Sequence, residues 1–128
     1  MSDDPEASPP IVGLVLCDDL IFSSRILGTA RALGFVFQAV RDPETLKAKL
    51  ESISPRCIIL DLGNESLDLA EFFTFLRDRD MTLRVVAYGS HVDTARLSAA
   101  RAAGCEPVLA RSKFVDELAR LIPEWLTA

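Results

Sequence analysis

Two apolar runs end in acid. Ile11-Val-Gly-Leu-Val-Leu-Cys17 leads directly into Asp18-Asp19, and Cys57-Ile-Ile-Leu60 leads into Asp61. If both runs are strands of one parallel sheet, all three carboxylates leave it on the same edge. Crowded carboxylates repel and raise each other's pKa unless a cation neutralises them. Hard oxygen donors with room left for water suit Mg²⁺. The plainer alternative is that Asp18 and Asp19 cap the helix that follows and Asp61 opens a turn.

Other candidate residues offer less. His91, the single histidine, follows Ser90 at the end of another apolar run and can sit over the acids, which would raise its pKa. As an exposed loop residue it needs no role. One histidine and no nucleophile-elbow motif leave no Ser-His-Asp or Cys-His arrangement to argue. The glycines read as helix stops and turns, not as a phosphate-binding loop. Cys17, Cys57 and Cys105 are isolated and lie in or beside apolar runs, as small buried thiols in a reducing compartment do.

The elements that must position the acids alternate regularly. Ile11–Cys17, Phe35–Val40, Cys57–Asp61, Leu83–Tyr88 and Pro107–Ala110 read as strands. Between them, Ile21–Leu33 is a helix stopped by Gly34, and Asp42 with Pro43 starts a second helix. A third, near Leu67–Arg77, sets Leu69, Phe72, Phe73 and Leu76 on one stripe, which leaves Phe75 at its flank. Asp93–Ala103 is a fourth, stopped by Gly104. Ser112 is placed to cap a fifth helix through Ile122, where Pro123 is expected to break it and leave Trp125 in a short tail. Strict βα alternation requires parallel strands with right-handed crossovers and helices on both faces. The fold class is thus α/β, a three-layer doubly wound (βα)5 sheet, whose ligand sites lie beyond the carboxyl ends of the strands.

Composition narrows the class of function. At 128 residues the chain suits one domain, here 11–128, behind an acidic, proline-rich lead-in over 1–10 expected to be disordered. The net charge of −5 and the scatter of Lys and Arg argue against nucleic-acid binding. The apolar runs are too short for a membrane span, and nothing resembles a secretory leader, so a cytoplasmic protein is expected.

With the acids in this register, the sequence resembles the response-regulator receiver (CheY-like, flavodoxin-like) family over about residues 10–122. The carriers are Asp18-Asp19, Ile58-Ile-Leu-Asp-Leu62, Gly63, Leu33-Gly34 and the Ala103-Gly104 turn before the fifth strand. The resemblance implies that Asp18 and Asp19 hold Mg²⁺, that Asp61 accepts a phosphoryl group, and that the Gly63 backbone carbonyl also ligates the metal.

The family pattern is then broken in several places. The hydroxyl position at the end of the fourth strand is Gly89, with Ser90 next to it as a possible substitute. The Lys-Pro pair is Arg111-Ser112, so Arg111 would contact phosphate with a longer, planar group. The aromatic switch position is Val108, and the loop after Asp61 carries Glu65 in place of Pro. The usual partner-binding face carries Arg96, Arg101, Lys113, Asp116 and Glu117.

These departures imply a stand-alone, atypical or pseudo-receiver acting through a protein partner, either a histidine kinase or a downstream effector, and able to do so without phosphorylation. The alternative is a genuine Mg²⁺-dependent phosphoacceptor of a two-component system, modified on Asp61. A third reading is a flavodoxin-like domain for a small ligand or metal. Beyond self-modification at Asp61 no enzyme activity is expected, and a dimer is left open.

Overall fold

A computed structural model describes residues 9–127. The elements run β1 (Ile11–Leu16), α1 (Leu20–Ala32), β2 (Val36–Val40), α2 (Pro43–Leu50), β3 (Cys57–Asp61), α3 (Leu69–Asp78), β4 (Arg84–Gly89), α4 (Thr94–Ala103), β5 (Val108–Ala110) and α5 (Arg111–Leu126). All strand pairs are parallel, in the order β2-β1-β3-β4-β5. This is the doubly wound sheet expected from the alternation, with its switch in strand order between β1 and β3. Of the lead-in expected over 1–10, residues 1–8 lie outside the described residues, while Pro9 and Pro10 are exposed and irregular. No helix among the described residues is long and apolar enough to cross a membrane.

The period of two in each strand divides the core. Leu14, Leu16, Ile58, Leu60, Val85 and Ala87 face α2, α3 and α4, where they meet Leu46, Leu50, Phe72, Leu76 and Leu97. Val15, Ile59, Val86 and Tyr88 face α1 and α5, where they meet Ile26, Ala30, Phe114, Leu118 and Ile122. The three cysteines are free and buried.

Local chemistry starts and stops the helices. Asp19, Asp42, Asp68 and Asp93 each accept a hydrogen bond from a first-turn backbone N–H. Gly34 and Gly104 take φ of +93° and +122°, a backbone region that an L side chain resists. Most element ends fall within one or two residues of the expected positions.

The last helix departs from expectation. Ser112 is not its cap: α5 begins at Arg111 with Ala110 in the cap position and no side-chain hydrogen bond there. Pro123 lies inside the helix, which continues to Leu126. A proline removes one N–H donor and crowds the preceding turn, but burial outweighs that here. Trp125 and Leu126 are buried, the Trp125 ring stacks on Phe114 at 5.8 Å, and Arg56 Nη1 donates to the Leu126 carbonyl at 3.3 Å. The only cis peptide bond among the described residues is Glu106–Pro107, away from Arg111-Ser112.

Candidate functional site

The register brings the expected residues to one edge. Leu16 pairs with Leu60, so Cys17-Asp18-Asp19 and Asp61 leave the sheet side by side. Asp61 pairs with Tyr88, and Gly89 with Ala110, so Ser90 and Arg111 emerge next along the same edge.

Asp61 is buried, and its Oδ1 accepts the Gly63 N–H at 2.8 Å. Oδ2 has no hydrogen-bond partner among the described residues. The loop beyond it is pinned by Asn64, which is 5% exposed. Its Nδ2 donates to the Arg41 carbonyl at 3.0 Å, its Oδ1 accepts the Ser66 N–H, and its own N–H returns to the Asp61 carbonyl. Sequence reasoning gave Asn64 no role. An Asn two residues before a Ser in a Gly-Asn-Glu-Ser loop is nonetheless an Asx-turn signal. Glu65 is exposed and lines neither cavity at this edge.

Asp19 is a cap and an ion-pair partner at once. Oδ1 accepts the Phe22 N–H at 3.0 Å, and Oδ2 faces Arg111 Nη2 at 3.2 Å. The Phe22 backbone bond first, and the Arg111 guanidinium after it, hold its carboxyl below the usual range. Asp18 is exposed and makes no ion pair among the described residues. No three His, Cys, Asp or Glu side chains among the described residues are grouped to hold a metal ion. The Asp19 oxygen that the cap leaves free already faces a guanidinium, and the three acids are not grouped as metal ligands, so the acids as arranged do not fit the Mg²⁺ site that the resemblance implies.

Arg111 is seated as well as paired. Its guanidinium carbon lies 4.2 Å from the Phe22 ring centre and 6.0 Å from that of Tyr88. Beneath it the rings continue, Phe22 to Tyr88 at 5.0 Å and Tyr88 to Phe114 at 4.5 Å. Tyr88 is wholly buried, and its hydroxyl has no hydrogen-bond partner of good geometry. Burial, with the Cys17 thiol and Asp61 nearby, pushes the phenol pKa up strongly.

Ser90, His91, Arg111 and Ser112 line a cavity of about 560 Å³ with Phe22, Val115 and Asp116. Ser90 and His91 are both exposed. Ser90 also lines a second, small pocket of about 60 Å³, with Gly63, Gly89, Leu62, Asp93, Arg96 and Leu97. Val108 is buried in the core under α4. Two arginines of the expected partner-binding face bond backbone oxygens, Arg96 that of Leu62 and Arg101 that of Val108. Phe75 is half-buried, with the Arg79 guanidinium 3.9 Å above its ring.

No protein-family model matches the chain, and no curated protein matches it. Solved structures do. A receiver domain from Bermanella marisrubri superposes with a TM-score of 0.78 at 21% identity, covering 90% of this chain and 97% of that one. A putative response regulator from Chloroflexus aurantiacus J-10-fl gives 0.78 at 19% identity, covering 91% and 98%. The beryllofluoride-activated NtrC4 receiver domain, a dimer, gives 0.71 at 16% identity, covering 88% and 97%. The chain therefore has the fold of the response-regulator receiver domains.

Proposed function

We propose that this chain is a receiver-type signalling domain that acts by contact with protein partners and accepts a phosphoryl group on Asp61. The observation that carries this reading is the buried Asp61 carboxylate at the end of β3. One of its oxygens is fixed by the Gly63 N–H, and it stands in a row with Asp19 and Arg111. That fixed oxygen orients the group for in-line attack. In the step proposed, an Asp61 oxygen attacks the phosphorus of a phosphohistidine on a donor protein. The P–O bond forms as the P–N bond breaks, and its electron pair stays with the imidazole nitrogen.

Exposed apolar side chains give partners a surface beside this edge. Leu20 and Ile21 on α1 and Val92 after β4 are 80%, 85% and 74% exposed. A second copy is one partner of this kind, as in the NtrC4 dimer.

A second reading, a pseudo-receiver that signals without phosphorylation, is favoured by one feature. Gly89 brings no hydroxyl to the site, and a side chain there would press on Leu62, 3.3 Å from its Cβ. Acetyl phosphate tests the two. Uptake of one phosphoryl group by mass spectrometry, lost in Asp61→Asn, is the expected result. No uptake, together with unchanged partner capture by Asp61→Asn, would replace the first reading with the second.

A further inference from the structure

We propose that Arg111 is the resident cation of the acidic edge, standing at Asp19 where a divalent metal would have to bind. This rests on the reading of that edge as the functional site, but not on phosphoryl transfer.

Three features place the guanidinium there. Arg111 opens α5 directly after Ala110, whose pairing with Gly89 fixes the backbone at the sheet edge. Its charged group then lies over the Phe22 ring, and Phe22 is the residue whose N–H Asp19 caps. The ring seat and the carboxylate are thus built by one helix turn. Finally, Nη2 meets Oδ2, the Asp19 oxygen that the cap leaves free.

The guanidinium brings one positive charge to the Asp19 carboxylate. A divalent ion at Asp19 would meet the Arg111 guanidinium at close range, and the two positive charges would repel across that oxygen. Metal and guanidinium are therefore alternatives at one carboxylate. Asp18 and Asp61 are the nearby acids that would complete a metal site once Arg111 left.

Mn²⁺ binding to the whole chain, followed by calorimetry and by paramagnetic broadening of amide signals, tests this. Wild type should bind weakly, and Arg111→Gln should bind about ten- to a hundredfold more tightly. Adding Asp19→Asn to Arg111→Gln should abolish the gain, while Arg111→Lys, which keeps the charge but loses the planar group seated on Phe22, should tighten binding only in part. If Arg111→Gln does not fold, Phe22→Leu removes the seat while keeping the charge, and should give a smaller tightening. Equal affinity in wild type and the folded variants, or no binding in any, would overturn the proposal. Neither result depends on whether Asp61 takes up phosphate, so the two proposals fail separately.

Discussion

Gly89 lies so close to Leu62 that a Cβ on the glycine would stand 3.3 Å from the leucine Cβ. Leu97 Cδ2 bounds the same space at 3.5 Å. Gly89→Thr, which would supply a hydroxyl at the end of β4, should therefore lower stability by about 1–3 kcal/mol through overpacking. Urea unfolding measures it, and Leu62→Ala in the same background should recover part of the loss. Additive effects of the two substitutions would show that the contact is not the cause.

Gly13 poses the same problem more sharply at β1, where an added Cβ would clash with the Cδ2–Cε2–Cζ edge of the Phe37 ring. Phe37 is buried and has little space to yield. Gly13→Ala should cost about 1–3 kcal/mol, and Phe37→Leu should relieve it, as read from paired melting curves.

Acid should weaken the fold partly through Asp42. Its carboxyl is held below the usual aspartate range, first by the Thr45 N–H and then by the Thr45 hydroxyl. A carboxylate with a depressed folded pKa adds stability above its unfolded value, and that stability is lost as pH falls through the folded one. Asp42→Asn keeps a capping oxygen but cannot titrate. Its urea midpoint should fall less than that of wild type between about pH 5 and pH 2.

The thiols should be silent in the native state. Burial pushes Cys57 and Cys105 up to about 12 and also raises Cys17, so almost no thiolate is present near pH 8. Alkylation should label all three in denaturant and none at a comparable rate before unfolding. Rapid native labelling of Cys17 alone would mean that the edge above it opens.

Pro123 leaves the Ala119 carbonyl without its helical donor. Pro123→Ala should restore that bond and remove the ring, raising stability by about 1–3 kcal/mol. A fall in melting temperature would mean that the half-buried ring packs better than it bonds badly.

Most of the frame was legible because its signals are local. Strands buried on both faces read as continuous apolar runs, and Gly34, Gly104 and the Asp42-Pro43 start act within a turn of where they stand. The end of α5 was misread by the same local logic. Pro123 is a breaker by propensity, whereas Trp125 is buried in the core beneath α1 and α5, stacked on Phe114, which propensity does not see. The stripe Phe114, Leu118, Leu121, Ile122, Trp125 runs straight through the proline and was the available clue. At the site, the strand-end positions of Asp18, Asp19, Asp61 and Arg111 followed from topology. That Arg111 pairs with Asp19, across 92 positions of sequence, depends on the Phe22 ring beneath the guanidinium and is written in no single motif.

The ring stack has an optical consequence. The chain has one tyrosine and one tryptophan, and both lie against Phe114, Tyr88 on the side of Arg111 and Trp125 toward the far end of α5. Light absorbed by Tyr88 will pass to Trp125 by resonance transfer, so the native domain should emit almost entirely as tryptophan. Any event at the acidic edge that tilts Phe22 or Tyr88 will alter that transfer. The protein thus carries an unlabelled fluorescent gauge of its own site.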